Sequence, residues 1–168
     1  MLLTTTALRA VGRQARQINL MPINTAVVPA THDDRPSIEV LLTSEKLPVT
    51  DLPASLERFW VVLDNGKIIG VIGLELYPPY GLLRSLAVSP DHRGLGIGNI
   101  LVRTVEEQAI KLGLESLYLL TETAKSYFEK KRYITEERDN TPDAIRRSSE
   151  FSHVCPASAA VMKKELAR

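Results

Sequence analysis

Apolar and polar positions along the chain change period several times, and each change marks an element. Thr25 to Pro29 is a short extended run. An Asp33-Asp34 turn follows, and Pro36 can open a helix at its first position, with Ile38, Val40, Leu41 and Leu42 in the helical stretch. Leu47 to Leu52, containing Pro48, reads as a loop ending near Pro53. Phe59 to Leu63 and Lys67 to Tyr77 are β-rich runs joined by Asp64-Asn65-Gly66, a hairpin signal. Pro78, Pro79 and Gly81 punctuate the chain again. Leu82 to Val88 is then short, apolar and bounded by turn formers, which predicts a buried strand.

Ser89-Pro90-Asp91-His92 leaves that strand, and the spacing of Ile100, Leu101, Val105, Ala109 and Leu112 predicts an amphipathic helix over Gly98 to Leu112. Gly113 is placed to cap it. Glu115 to Thr121 reads as a strand, Thr123 to about Lys131 as a helix, Tyr133 to Glu136 as a strand and Pro142 to Arg147 as a helical turn. Ala159 to Leu166 fits either a strand or a helix.

At 168 residues, 44% hydrophobic and 24% charged, the chain has the length and composition of one globular domain. Residues 22–168 are expected to form it, with 1–21 a flexible N-terminal extension; Arg9, Arg13 and Arg16 give that extension only a loose likeness to a mitochondrial leader. A net charge of +1 argues against a nucleic-acid coat, so any anion site must be local. One cysteine, Cys155, and three scattered histidines make neither a disulfide nor a zinc-ligand spacing, and no metal is expected. The longest uncharged stretch is broken by Pro22, Asn24 and Pro29, too short for a membrane span. A cytoplasmic location is the expectation.

Arg93-Gly94-Leu95-Gly96-Ile97-Gly98 sits between an apolar strand and an amphipathic helix. The first N–H groups of a helix lack partners and carry the positive end of its dipole, and glycines let a phosphate approach them. The glycines alternate, unlike a G-x-G-x-x-G dinucleotide loop, and no lysine follows as in a P-loop. A pyrophosphate is the expected guest; a turn chosen only for tight packing is the bland alternative.

The strand Leu82 to Val88, this loop and its helix together resemble the acetyl-CoA site of the GNAT superfamily of N-acetyltransferases. The resemblance covers roughly Asn24 to Leu166 and implies an α/β (α+β) fold: a mixed, mostly antiparallel sheet flanked by helices. Acetyl-CoA would lie in a cleft between two splayed central strands. The family's loop has the form Q/R-x-x-G-x-G/A, matched by Arg93, Gly96 and Gly98. By this resemblance Leu86, Ala87, Val88, Arg93, Gly94, Gly96, Ile97, Gly98, Asn99 and Phe128 are the expected cofactor contacts. Leu83 to Val88, Ala124 to Phe128, Arg147-Ser148-Ser149-Glu150-Phe151 and Cys155 to Ala159 look more closely like arsenic-resistance N-acetyltransferases and short glutamate N-acetyltransferases. That likeness implies acetylation of the α-amine of a glutamate-like amino acid or its arsenic or phosphorus analogue. Arg84, Ser85, Arg147 and Ser149 become the expected acceptor ligands, because arginine's fork suits carboxylates. A small-molecule amino acid is thus the expected partner, without nucleic acid or membrane, and a homodimer stays open.

Amide formation from a thioester needs a neutral amine, an oxyanion stabiliser and a protonated leaving thiol. Glu75, on the strand beside Leu82 to Val88, is the candidate base, with Thr121 and Glu122 as second choices; an ordinary strand-face glutamate is the alternative. A backbone N–H of Leu86 to Val88, taken as that of Ala87, would meet the oxyanion. Many superfamily members place a tyrosine acid where this chain has Phe128. Tyr127 lies about 100° away around a helix and cannot simply replace it. The family's glycine after that helix is Arg132 here. Cys155 has no identifiable histidine partner for a nucleophilic role. Two other readings remain: an acetyltransferase for proteins, lysine or polyamines, and a non-catalytic acyl-CoA-binding regulatory domain.

Overall fold

The computed structural model describes residues 26–167, so the expectation for residues 1–21 lies outside the described residues. Seven strands form one sheet: β1 (Val27–Pro29), β2 (Phe59–Asp64), β3 (Lys67–Tyr77), β4 (Tyr80–Val88), β5 (Ser116–Thr121), β6 (Ile134–Glu136) and β7 (Ala160–Glu165). Their spatial order is β1-β2-β3-β4-β5-β7-β6. Every neighbouring pair is antiparallel except β4 and β5, which run parallel. Helices α1 (Arg35–Ser44) and α2 (Ile97–Lys111) cover opposite faces, and the short α3 (Lys125–Glu129) and α4 (Asp143–Arg146) follow β5 and β6. This is the mixed, mostly antiparallel sheet flanked by helices that the sequence implied.

Two-sided burial explains why β2 and β3 read as apolar runs rather than alternating ones. Phe59, Val61 and Val71 point to one face and pack with Ile38, Leu41 and Leu42 of α1. Trp60, Val62 and Ile72 point to the other and pack with Leu101, Val102 and Val105 of α2. The hairpin between β2 and β3 turns on Asn65 and Gly66, both at positive φ, as a two-residue type I′ turn demands.

The structure differs from the sequence expectation at several boundaries. Gly81 is inside β4 rather than before it, because it is a packing glycine: a Cβ there would lie 2.9 Å from Leu74, Leu114 and Leu117 side chains. Helix α2 begins one residue early, at Ile97, and α3 spans only 125–129. The unassigned C-terminal run is β7, inserted antiparallel between β5 and β6. A π-helical turn, Glu150–Val154, precedes it.

Candidate active site

The parallel pairing of β4 with β5 lasts only from Tyr80↔Ser116 to Leu82↔Tyr118. Beyond Leu82 the strands diverge, leaving the cleft-side backbone edge of β4 without a strand partner. A bulge in β4 accompanies the split. Gly73 opposes Arg84 and Val71 opposes Ala87, so Ser85 and Leu86 together face Ile72. Ser85 takes φ 57° to achieve this. Opposite Arg84, Gly73 has no room for a side chain: a Cβ would sit 2.6 Å from the Phe59 ring. The opening is a cavity of about 610 Å³, walled by β4, the glycine loop, β5, α3 and Glu150.

At one end, the glycines act for two different reasons. Gly94 and Gly96 have φ of 76° and 79°, and a Cβ on either would meet nothing within 4 Å. They are required by backbone conformation, and they leave open space above the loop. Gly98 lets the Tyr127 side chain come close, since a Cβ there would lie 2.8 Å from its hydroxyl and push it aside. Within α2 the first amide bonded to a helix carbonyl is that of Ile100, to Gly96 at 3.1 Å. The amides of Ile97, Gly98 and Asn99 thus begin the helix without an acceptor four residues back. Arg93 stands beside them, its guanidinium paired with Glu45 and its Nε 3.4 Å from the Val88 carbonyl.

The Tyr127 hydroxyl donates to Asn99 Oδ1 at 3.2 Å, and Lys131 Nζ donates to the same oxygen at 2.6 Å while lying over the Tyr127 ring. Burial pushes the Tyr127 hydroxyl up to about 12, which keeps it neutral. Phe128 is buried and packs edge-on against Tyr133. The tyrosine hydroxyl therefore faces the glycine loop, not the Phe128 position, as expected from one residue of helical rotation.

At the other end lies a buried charge cluster. Arg84, its side chain 1% exposed, donates to Asp51 Oδ1 at 2.7 Å and to Glu75 Oε1. Its Nε lies 3.2 Å from the Ser85 hydroxyl. Burial opposes the guanidinium's charge, but the hydrogen bond to Asp51 and the fields of Glu150 and Glu75 outweigh it, so Arg84 holds its proton more tightly than usual. Tyr77 donates to Glu75 Oε2 at 2.6 Å, and Ser149 donates to Asp51 Oδ2 at 3.2 Å. Glu150 is 7% exposed, lines the cavity, and its Oε2 has no hydrogen-bond partner among the described residues. Burial pushes its carboxyl up to about 7, with Asp51 and Glu75 adding to the rise and Arg84 opposing it.

The cavity wall brings together Arg84, Ser85, Leu86, Ala87 and Val88 of β4, and Arg93, Gly94, Gly96, Ile97, Gly98 and Asn99 of the loop and α2, with Phe128 across from them. Three expected residues stand elsewhere. Glu75 does not line the cavity, and both its oxygens already accept hydrogen bonds from Arg84 and Tyr77, which leaves neither turned to a substrate amine. Ser149 does not line it either and is turned to Asp51. Arg147 is exposed and outside the wall. Arg84 does line the cavity, but its donors already serve this chain's own carboxylates, so it braces the site and is not a free carboxylate ligand. Thr121 is on the wall and Glu122 is not. Cys155 is pushed up to about 12 by burial, which keeps it a thiol. Sequence reasoning missed Asp51 and Glu150. Glu150 carried a signal, an acid inside the C-terminal block, whereas Asp51 in a proline-bounded loop carried none.

Among the described residues there is no group of histidine, cysteine and acidic side chains able to hold a metal, and no helix long and apolar enough to cross a membrane. An amino-acid acetyltransferase of Ralstonia nicotianae is 32% identical over 98 residues, covering 57% of this chain and 22% of that relative. One of Pseudomonas paraeruginosa is 33% identical over 97 residues, 55% of this chain and 22% of its own length. The chain thus spans about a fifth of the length of these curated relatives. N-acetylglutamate synthase from Neisseria gonorrhoeae, solved with coenzyme A and N-acetyl-glutamate, superposes with a TM-score of 0.74 at 20% identity, over 85% of this chain and 35% of that one. Rv2747 from Mycobacterium tuberculosis, solved in a complex with CoA, gives 0.70 at 22% identity, over 84% and 99%. At these identities the two structures share the fold. The family model described as "Acetyltransferase (GNAT) family" matches residues 24–132, the stretch that holds β1 to β5, the glycine loop and both sides of the strand split, and the chain belongs to that family.

Proposed function

We propose that the protein is an acetyl-CoA-dependent N-acetyltransferase acting on the α-amine of a small glutamate-like amino acid, including its arsenic or phosphorus analogues. The observation that carries this reading is the 610 Å³ cavity opened by the β4–β5 split, with a helix N-terminus at one end and a buried acid at the other. Residues 22–168 act as one acetyltransferase domain. The acceptor class is supported by the amino-acid acetyltransferases among its relatives and by the N-acetyl-glutamate in the Neisseria complex.

The residues present fit coenzyme A. Gly94 and Gly96 leave open space for a pyrophosphate, and the first-turn amides of Ile97, Gly98 and Asn99 would hold its oxygens. The unpaired edge of Leu86 to Val88 would pair with an extended amide-bearing chain as an added strand does. When bound, acetyl-CoA supplies an acetyl group on an activated thioester. The Ala87 N–H is turned to β3, as that of Ser89 is to the Ile69 carbonyl two residues on, so a cleft-side N–H of Leu86 or Val88 would stabilise charge on the carbonyl oxygen without any side chain. Leu83 and Leu119 keep water from the throat between the strands.

A thiol-release assay with acetyl-CoA tests this across glutamate, aspartate, phosphinothricin, arsinothricin, lysine, a polyamine and a peptide N-terminus. Fastest turnover with the glutamate-like acceptors is expected. Fastest turnover with lysine or the polyamine would overturn the acceptor class. Coenzyme A binding without thiol release from any amine would overturn catalysis itself.

A further inference from the structure

We infer that Glu150 is the residue that binds the acceptor's ammonium group and takes its proton, a role that rests on the amino-acid acetyltransferase reading and assigns it a base. Its carboxylate Oε2 is buried at the cavity wall with no hydrogen-bond partner among the described residues. An acceptor oxygen left unpaired in a buried position costs about 1 to 3 kcal/mol, so a guest donor is expected there. Among the described residues its other oxygen meets the Cys155 thiol at 4.0 Å.

The charges around it specify the guest's sign. From β4 comes Arg84; from the loop before β2 comes Asp51; from β3 come Glu75 and Tyr77; behind it lies Cys155. Arg84 is already paired with two carboxylates. Glu150 is therefore an acid without a dedicated cation, and a cationic amine supplies one. In the transfer, an N–H bond of the ammonium breaks as an O–H bond forms on Glu150 Oε2, leaving a neutral amine and a neutral carboxyl.

Geometry also separates Glu150 from Glu75. Glu75 accepts hydrogen bonds on both its oxygens, from Tyr77 and Arg84, whereas Glu150 lines the cavity with its Oε2 unpartnered among the described residues. Raised to about 7, Glu150 also lies closer to an α-amine of pKa about 8 to 9.5 than an ordinary carboxylate does, which favours transfer between them. Ser149 on Asp51 and Asp51 on Arg84 fix the turn that presents Glu150.

The test compares the full-length protein with Glu150→Gln and Glu150→Asp, using L-glutamate and its amine-free analogue glutarate. Titration calorimetry in the presence of coenzyme A should show Glu150→Gln binding L-glutamate at least tenfold more weakly while glutarate and coenzyme A bind as in wild type. Turnover should lose its acidic limb near pH 7 in Glu150→Gln and regain part of the rate in Glu150→Asp. Equal losses of L-glutamate and glutarate binding, or an unchanged pH–rate profile in Glu150→Gln, would overturn the inference while leaving the acetyltransferase reading intact. A wild-type protein that neither binds nor acetylates L-glutamate would instead overturn the acceptor reading and this role with it.

Discussion

Replacing Glu150 by glutamine should change how stability depends on pH, and the size of the change follows from its burial. The carboxyl is raised from 4.5 to about 7 in the folded chain, chiefly by burial. Between those two values the folded state keeps the proton and the unfolded state loses it. The unfolded state then binds fewer protons, so stability falls as pH rises, by about 1.4 kcal/mol per unit while both conditions hold. Glu150's contribution is fully present below pH 4.5 and lost by about pH 7, a total on the order of 3 kcal/mol. Glutamine does not titrate and lacks this slope. Urea denaturation of both proteins at several pH values from 4.5 to 8, taken as differences, cancels the titration of groups distant from Glu150. Glu150→Gln should gain on wild type by a few kcal/mol across the range and then stay level. A difference constant with pH would show that Glu150 ionises in the fold as it does in water, and the argument from burial would fail.

Arg84→Met should destabilise by about 3 to 5 kcal/mol in urea, because Asp51 and Glu75 lose their shared cation inside the protein; a change under 1 kcal/mol would show that water reaches them. Gly96→Glu should abolish coenzyme A binding by calorimetry with the fold retained, since it puts a carboxylate at the anion end and an L-residue at φ 79°; unchanged affinity would remove the loop from the cofactor site. Arg132→Gly should raise stability by up to about 1 kcal/mol, because Arg132 occupies φ 67° after α3; a lower melting temperature would mean the arginine side chain offsets its backbone strain.

The glycine-loop end of the cavity was legible in the sequence because it is local. Leu82 to Gly98 is one uninterrupted strand, loop and helix start, and its glycines report backbone conformation directly. The β2–β3 hairpin was legible for the same reason at Asn65-Gly66. What stayed hidden depends on distant partners. Gly81 looks like a turn residue until Leu114 and Leu117 are packed on it. Glu75 looks like a base until Arg84 and Tyr77 are seen on its carboxylate. Arg147 has a fork suited to a substrate carboxylate, but an exposed position outside the cavity wall, while its neighbour Glu150 turns inward. Ala160 to Glu165 gives no clear period, because β7 is a strand between two others, with Val161 and Met162 buried in different clusters.

The Ser149–Asp51 hydrogen bond joins residues 98 positions apart. Closing a loop of that length costs more chain entropy than assembling the contiguous segment that makes the cofactor end, and contacts of such separation form late. The two ends of the cavity are thus expected to differ in folding order as well as in chemistry. A chain emerging from the ribosome can complete its coenzyme A loop while the carboxyl-terminal turn is still being synthesised. With Glu150 as the acceptor's base, acceptor selection would wait for that turn to dock on a loop laid down nearly a hundred residues earlier. On that reading the same separation would let substitutions in the turn retune which amine is chosen without disturbing the glycine loop, so a lineage could change acceptors while keeping its cofactor.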